Sequence, residues 1–272
     1  MQKMVEQYLK SLFPINSHTH IGDAFIKLPE KKYSIEELVA PFSGYKHKML
    51  EKANEKEIIN GMEKAIKLME KAGIKAFVDF REGGIKGIKM IKKAMRGKKI
   101  KVIILGRPEK MNYNEEEINA ILSMAHGMGL SSIYDWDESI EKIAEHVHKK
   151  HKIFALHASE ARREDIDEIL KLKPHFLVHL CKASKKDIEK VAECNVPVVV
   201  CPRSNAFFGL RPKLEMLLEY GITTMLGTDN AMIVEPDVIK EASYTLQNFE
   251  VDEKQVVKMV TDNPKKVFKE FL

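Results

Sequence analysis

Residues 15–20 read Ile-Asn-Ser-His-Thr-His, with an apolar start and two histidines spaced two residues apart. Alternate side chains of a β-strand point to the same side, so His18 and His20 can reach one point beyond the strand's end. In a (β/α)8 barrel the active site lies at the C-terminal ends of the strands. This stretch therefore indicates the first strand of such a barrel, ending in two side chains of the kind that bind metals.

Seven more short apolar runs follow along the chain, and amphipathic stretches of about 10–15 residues separate most of them. This alternation predicts an α/β fold, a (β/α)8 TIM-like barrel. Capping-box patterns at Ser34 and Ser184 mark two helix starts. The predicted strands are 15–18, 76–80, 101–105, 132–134, 153–157, 176–179, 197–201 and 223–227, and the clearest predicted helices are 58–72, 85–95, 115–125 and 187–193.

The bulk composition is typical of one globular domain. The chain has 272 residues, 44% of them hydrophobic, which suffices for a single barrel domain spanning residues 1–272. No apolar run reaches membrane-spanning length, and the acidic Glu6 argues against a signal peptide, so we expect a cytoplasmic protein. The net charge of +5 is spread along the chain, which favours a solvated surface over a nucleic-acid patch, so we expect no nucleic-acid or membrane partner. A small-molecule substrate is expected from the strand-end motifs and not from the charge. Cys181, Cys194 and Cys201 lack the spacing of a disulfide framework or a Cys-x-x-Cys motif.

Further polar side chains follow the predicted fifth, sixth and eighth strands. His157 ends the fifth strand, His179 ends the sixth, and Asp229 follows the eighth. Because these strand ends meet at one face of a barrel, we expect the side chains to surround one site. Each signal alone has a structural alternative, since a single strand-end histidine is commonly structural and Gly-Thr-Asp is often a turn. Together they favour a first-row divalent metal, for which the predicted ligands are His18, His20, His157 and Asp229.

Five longer segments contain these residues: INSHTHIGD (15–23), LHASE (156–160), VHLCKAS (178–184), VCPRSNAFFG (200–209) and GTDNAM (227–232). In this order they resemble the amidohydrolase superfamily, most closely its branch of cytosine deaminase, S-adenosylhomocysteine deaminase and chlorohydrolases. The resemblance extends from Phe13 to Asn263-Pro264. It implies that the four predicted ligands bind one divalent metal ion, with zinc as the first candidate and iron or manganese as alternatives. It also implies that His179 orients the water or the substrate and that Glu160 shuttles protons.

The function implied by this resemblance is hydrolytic deamination of an amino-substituted heterocycle of the purine, pyrimidine or pterin type, by metal-activated water. Asp229 would ligate the metal and accept the proton of the water, while Glu160 would protonate the ring nitrogen and the departing amine. Glu160 needs a raised pKa for that role. The alternatives are a hydrolase of cyclic amides or of other C–N or C–halogen bonds, a metal phosphodiesterase of the TatD type, and, outside enzymes, an inactive metal-binding relative.

Two features depart from the pattern of the superfamily. Members usually carry a β-sandwich built from both chain ends, and the short flanks of the predicted barrel lead us to expect a barrel without it. Binuclear members carry a bridging Lys or Glu at the end of strand four. This chain has Asp135 and Asp137 there, which favours a mononuclear site and leaves either aspartate as an unusual ligand. Self-association of the barrel is left open.

Five side chains after predicted strands are candidate substrate contacts. Arg81 follows strand two, Arg107 follows strand three, Trp136 follows strand four, and Arg203 and Asn205 follow strand seven. An arginine can bind an anionic substituent, and Trp136 can stack on a flat ring. The alternative for the arginines is that they pair with neighbouring carboxylates and only brace the rim.

Overall fold

The computed structural model describes residues 2–41 and 43–272, with side chains from residue 6 onward. Nine parallel strand segments alternate with helices along the chain, which confirms the α/β barrel class. The segments are β1 (Ile15–His20), β2 (Ala76–Arg81), β3 (Lys101–Gly106), β4 (Gly127–Leu130), β5 (Ile153–Ala158), β6 (Phe176–His179), β7 (Val198–Val200), β8 (Thr224–Leu226) and β9 (Asp229–Asn230).

The sheet has the order β8-β7-β6-β5-β4-β3-β2-β1-β9, and every pairing is parallel. β8 and β9 are two halves of the eighth barrel strand, since β8 pairs with β7 whereas β9 pairs with β1. Between them, the Gly227 N–H donates to the Val200 carbonyl at 3.0 Å and the Thr228 N–H donates to the His18 carbonyl at 2.9 Å. The eighth strand thus bridges the seventh and the first and closes the barrel.

Helices surround the strands, and the four clearest predicted helices are confirmed to within three residues at their starts and two at their ends. Ser34 and Ser184 both form the predicted capping boxes, each accepting a hydrogen bond from the backbone three residues on. The helices are α1 (Gln2–Ser11), α2 (Ile35–Val39), α3 (Tyr45–Lys52), α4 (Glu55–Ala72), α5 (Gly84–Ala94), α6 (Glu115–Met124), α7 (Ser139–Lys149), α8 (Ile166–Lys171), α9 (Lys185–Glu193), α10 (Pro202–Phe207), α11 (Leu214–Glu219), α12 (Val238–Asn248), α13 (Glu253–Val260) and α14 (Asp262–Val267), with 3-10 turns at Ile21–Asp23, Ile133–Asp135 and Lys269–Phe271.

Alternate strand residues pack into two apolar layers, as the period of two requires. Phe80 and Leu105 belong to the cluster inside the barrel, whereas Phe77 and Ile104 belong to the cluster between the strands and the helices. Phe268, just after α14, packs inside the barrel with its ring centroid 5.4 Å from that of Phe176. None of the described helices is both long enough and apolar enough to cross a bilayer.

The predicted position of the fourth strand is wrong. Residues 132–134 lie at a 3-10 turn, and the strand is β4, which reads Gly-Met-Gly-Leu. A Cβ on Gly129 would lie 2.4 Å from the Phe80 ring, and one on Gly127 would lie 2.0 Å from the Ile153 carbonyl oxygen. Close packing therefore requires glycine at these two positions. Because glycine is normally depleted in strands, the composition of this segment did not indicate a strand.

The long segment between β1 and α4 covers the C-terminal end of the first strand. It contains α2, α3 and the turn Ile21–Asp23. Ile26, Tyr33 and Leu38 pack with Met232, which closely follows β9, in a small apolar cluster of their own. This cluster holds the segment against the barrel face at which the predicted ligands lie.

Candidate metal centre and active site

Four side chains converge at the C-terminal ends of β1 and β5 and on β9. His18 Nε2 lies 3.3 Å from Asp229 Oδ1 and 3.2 Å from His157 Nε2. His20 Nε2 lies 3.3 Å from His157 Nε2 and 3.6 Å from Asp229 Oδ1. The structure therefore brings together the four residues that the sequence pattern selects as metal ligands.

Hydrogen bonds on the far side of two rings determine which nitrogen faces the cluster. His157 Nδ1 donates to the Leu130 carbonyl oxygen at 2.8 Å, and because a carbonyl only accepts, the proton of the neutral ring lies on Nδ1. His20 Nδ1 lies 2.9 Å from Glu82 Oε1, in the same arrangement. The Nε2 atom of each ring consequently carries a free lone pair, which points at the other predicted ligands.

Burial keeps the imidazoles neutral. It lowers the pKa of His18 against the opposing effect of Asp229, and together with the charge of Lys46 it lowers the pKa of His20 to about 3. The pKa of His157 falls well below its ordinary value through burial and the neighbouring imidazoles. Burial opposes ionisation of Asp229, yet the hydrogen bond with His18 and the nearby imidazoles bring its pKa well below the usual range.

This donor set fits a divalent metal. In a tetrahedral site with bonds of about 2.0–2.1 Å, neighbouring ligand atoms lie about 3.3–3.4 Å apart, close to the 3.2–3.6 Å separations seen here. Without a metal, a proton on His18 Nε2 joins that ring to Asp229 Oδ1, whereas the unprotonated Nε2 atoms of His20 and His157 repel one another. A divalent cation would take the place of that proton and remove the repulsion. One group of four possible ligand atoms, all within 4.8 Å of one another, comes from His18, His157, His179 and Asp229, and it contains His179 in place of His20.

His179 differs from the other imidazoles in the position of its proton. Its Nδ1 lies 3.1 Å from the amide Nδ2 of Asn205, so Nδ1 accepts and the proton of the neutral ring is on Nε2. His179 Nε2 is buried, lies 3.6 Å from Glu160 Oε2, and has no hydrogen-bond partner within the described part of the chain. A protonated nitrogen donates a hydrogen bond and offers no lone pair to a metal.

Asn205 connects His179 to Glu160. Its Nδ2 carries two hydrogens, and the second is directed at Glu160 Oε1, 3.1 Å away. Burial, joined by the charge of Asp229, raises the pKa of Glu160 well above its ordinary value, as a proton-carrying carboxyl requires. A single amide therefore holds both an imidazole N–H and a protonatable carboxyl beside the four-ligand cluster.

The backbone is strained at two positions of the site. His179 and Asp229 have φ angles of 81° and 63°, in the left-handed region that side chains other than glycine rarely adopt. Each such residue costs on the order of 1–3 kcal/mol, and residues of this kind are concentrated at functional sites.

Comparison with known proteins identifies the family. The model of the amidohydrolase family matches residues 14–270. The chain belongs to the amidohydrolase family. It is 34% identical over 276 residues to an uncharacterized protein of Methanocaldococcus jannaschii, covering 94% of this chain and 72% of that protein. It is 37% identical over 232 residues to an Archaeoglobus fulgidus protein whose name, as an aminohydrolase, is provisional, covering 84% of this chain and 66% of that protein.

Solved structures share the fold at low sequence identity. The N6-mAMP deaminase of Arabidopsis has a TM-score of 0.78 at 14% identity and covers 96% of this chain and 94% of its own. The atrazine chlorohydrolase of Arthrobacter aurescens, solved with zinc, has a TM-score of 0.73 at 14% identity and covers 94% of this chain and 70% of its own. At such identities the likeness establishes the fold alone.

Two residues that sequence reasoning missed support the predicted metal ligands of this amidohydrolase. Lys46, on α3, is only 3% exposed; it contacts Glu82 and donates to Asn230 Oδ1 at 2.9 Å. Glu82 in turn bonds His20 Nδ1. The alternation of strand residues could have predicted that Glu82 points to the site, because it lies two residues after the inward-facing Phe80. Lys46 comes from a helix within a long connection and carried no comparable signal.

Three of the predicted substrate contacts of the amidohydrolase have structural partners instead. Arg81 lies on the opposite side of β2 from Phe80, is 2% exposed, and pairs with Asp79 Oδ2 at 3.3 Å and with Glu82. Arg203 Nε donates to Glu241 Oε2 at 2.5 Å, and its Nη2 donates to two backbone carbonyls.

Trp136 is the third of these residues. It is 8% exposed, it belongs to the apolar core, and its Nε1 donates to Ser131 Oγ at 3.2 Å. The structure gives Arg81, Trp136 and Arg203 partners within the protein, and their roles as substrate contacts stay predictions. Asn205, also predicted to contact substrate, orients His179 and Glu160.

A cavity of about 240 Å³ opens above the ligand cluster of the amidohydrolase. It is near the small end of ligand pockets, which suits a compact substrate. Arg107 lines this cavity because it continues the inward-facing side of β3 after Ile103 and Leu105. Other lining residues are His20, His157, Glu160, His179, Asp229 and Asp135.

The carboxylates that follow β4 do not join the donor cluster formed by the described residues. Asp137 Oδ1 accepts the backbone N–H of Ser139, the first residue of α7, at 2.8 Å. Asp135 lines the cavity, and its carboxyl accepts a hydrogen bond from Ser131. The geometry therefore offers no support for either aspartate as a ligand.

Proposed function

We propose that this chain is a metal-dependent deaminase of amino-substituted heterocycles of the purine, pyrimidine or pterin type. The observation that carries the proposal is the pair of contacts from Asn205, which hold the Glu160 carboxyl and the His179 imidazole beside four convergent metal-binding side chains. The reaction replaces a ring amino group by oxygen, with water as the co-substrate and ammonia as the second product.

His18, His20, His157 and Asp229 would hold one divalent metal, with zinc the first candidate and iron or manganese the alternatives. When bound, such a metal lowers the pKa of water and stabilises negative charge that develops at the reacting centre. Asp229 Oδ2 accepts the Ser204 hydroxyl at 2.7 Å, and Asn230 Nδ2 donates to Oδ1 at 2.9 Å, so the carboxylate is fixed in orientation. Ionised at neutral pH, Asp229 is the base that takes the proton of the attacking water.

Glu160 performs the remaining proton transfers. In its protonated form the carboxyl donates to the ring nitrogen next to the attacked carbon, which then becomes tetrahedral. Glu160, now ionised, takes the second proton of the water from the hydroxyl on the tetrahedral carbon and delivers it to the amino group, which leaves as ammonia. The proton that Asp229 took from the water then returns to Glu160, so both carboxyls end in their starting states. His179 Nε2–H, buried and without a protein partner in the described chain, donates a hydrogen bond to the oxygen that adds to the ring.

The chemistry of the leaving group favours deamination over dehalogenation. Chloride departs without a proton, whereas an amine requires one. A carboxyl whose pKa is raised by burial and by Asp229 is suited to supplying that proton. Provisional naming of relatives as aminohydrolases supports the same choice.

The test is a substrate panel offered to metal-loaded protein. Adenosine, AMP, guanine, cytosine, cytidine and pterin would be assayed for ammonia release, with mass spectrometry to detect replacement of NH by oxygen. We expect ammonia from at least one aminated heterocycle and none from the Asp229→Ala variant. Metal-replete protein that releases no ammonia but opens cyclic amides or liberates chloride from chlorinated rings would assign a different hydrolysis to the site.

A further inference from the structure

Arg107 differs from the other arginines near the site in having no partner for its charge. Arg81 and Arg203 are held by carboxylates. The Arg107 guanidinium makes no hydrogen bond or ion pair with any described residue, although its backbone N–H and carbonyl are both bonded. It is half-buried and lines the same cavity as the metal ligands and Glu160.

The nearest carboxylates are engaged elsewhere. Glu82 contacts Lys46, Arg81 and His20 at once. Asp135 accepts a hydrogen bond from Ser131 and lies outside ion-pair distance of the Arg107 guanidinium.

A second guanidinium lies on the same side of the cavity. Arg162 also lines it and stacks on the Tyr134 ring, with the guanidinium carbon 4.3 Å from the ring centroid and no carboxylate in ion-pair contact within the described chain. Burial raises the pKa of Asp135, and the charges of Arg107 and Arg162 both oppose that rise. Two guanidiniums therefore lie near one carboxyl at this wall of the cavity.

The cavity as a whole is not basic, because Glu36, Glu160 and Asp229 also line it. Burial lowers the pKa of Arg107, and Glu82 and Asp135 offset this only in part. An anion in the cavity supplies the missing partner, and a guanidinium binds carboxylate or phosphate through two parallel hydrogen bonds.

We propose that Arg107 binds an anionic substituent, a phosphate or a carboxylate, on the substrate, with Arg162 as the second positive charge at that wall. This inference rests on the proposed function for the position of the heterocycle over the metal ligands. It makes the substrate an amino-heterocycle that carries an anionic group on the side facing β3 and the β4–β5 rim, and it excludes the free base as the preferred substrate.

The test compares matched neutral and anionic ligands by calorimetry. The zinc-loaded Glu160→Gln variant, in which turnover is expected to be slow, would be titrated with adenosine and AMP, inosine and IMP, and pterin and pterin-6-carboxylate. We expect at least one anionic ligand to bind at least 10-fold more tightly than its neutral counterpart. Adding Arg107→Met should reduce that preference roughly 10- to 100-fold, the range for loss of a charge-assisted hydrogen bond. Arg107→Lys should restore part of it.

Arg96→Met is the matched control, because Arg96 is exposed beyond the end of α5 and the substitution changes the net charge equally. It should leave the preference unchanged. A preference confined to the nucleotide pairs identifies phosphate, and one confined to the pterin pair identifies carboxylate. No preference in any pair, or a preference that survives Arg107→Met, overturns the proposal. Ammonia release by the wild-type protein is scored separately: anion preference without ammonia contradicts deamination, whereas ammonia without anion preference contradicts the role of Arg107.

Discussion

Substitution of Glu160 by Gln is the sharpest test of the proposed chemistry. Glutamine keeps the size of the side chain but cannot donate and accept the proton that the reaction needs. Glu160 contacts Asn205 and His179 and lies outside the group of metal-binding atoms found in the described chain. It does not cap the following helix either, since α8 begins at Ile166 and Asp165 is its N-cap. We therefore expect the fold and the metal content to be retained.

The magnitude follows from the loss of general acid–base catalysis alone. This contribution is about 10²–10⁴-fold, which corresponds to about 2.7–5.4 kcal/mol of transition-state stabilisation. Stability should not fall in the metal-free protein. Burial raises the pKa of Glu160, so its stabilising contribution is complete only below the unfolded value of about 4.3 and is lost as the pH rises through the raised value. At neutral pH the uncharged amide should be as stable as the wild type or more so.

The assay is steady-state ammonia release on the substrate found in the panel, with metal content by mass spectrometry and thermal unfolding of the same samples. Glu36→Gln is the matched control: Glu36 lines the same cavity, is exposed, and has no hydrogen bond to the proposed machinery. We expect kcat to fall in Glu160→Gln and to stay near the wild-type value in Glu36→Gln. A metal-replete Glu160→Gln protein with the wild-type kcat would refute the proton-transfer role.

Four further outcomes are expected. Chelation should abolish ammonia release and lower Tm, His18→Ala should not regain activity with added zinc, and a native stoichiometry of two metals per chain would contradict the mononuclear site. Asn205→Ala should lower kcat roughly 10- to 100-fold with metal retained and should change the pH profile of kcat, which a purely structural residue would leave in place. Arg81→Met should cost about 3–5 kcal/mol in urea unfolding, as removal of one partner from a buried ion pair does, and should alter KM equally for neutral and anionic substrates; a selective KM effect would restore it as a substrate contact. Gly129→Ala should cost about 1–3 kcal/mol through its clash with Phe80, and unchanged stability would contradict the packing of β4.

Strand ends were predictable from the sequence because they carry a local signal. His157, His179 and Asp229 each follow a short apolar run, and the parallel barrel brings such ends to one face. Family motifs then assigned Glu160 a proton-carrying role, and its environment in the structure has the electrostatic character that this role needs. The inward orientation of Arg107 was also predictable from the sequence, because Arg107 continues the alternation of inward-facing residues along β3.

Two features that the sequence did not reveal have a common cause in packing. The fourth strand escaped detection because Gly127 and Gly129 are dictated by neighbours on β2 and β5, not by local propensity. Arg81 and Arg203 lie at or just after the ends of their strands as predicted, but Arg81 pairs with Asp79 on the outward-facing side of the same strand, and Arg203 pairs with Glu241 on a distant helix. Position along the chain does not reveal which charges are already neutralised.

The sequence by itself determined the barrel class, the position of every strand but the fourth, and the four predicted metal ligands that converge in the structure, because apolar periodicity and strand-end polarity are local properties. Only the tertiary structure decided which nitrogen of each imidazole faces the site, that Asn205 bridges His179 and Glu160, and that Lys46 reaches the site from a distant helix. It also decided which arginine remains without a partner. Hydrogen-bond donors and ion pairs are assigned between residues tens to hundreds of positions apart, so their pairing exists only once the chain has folded.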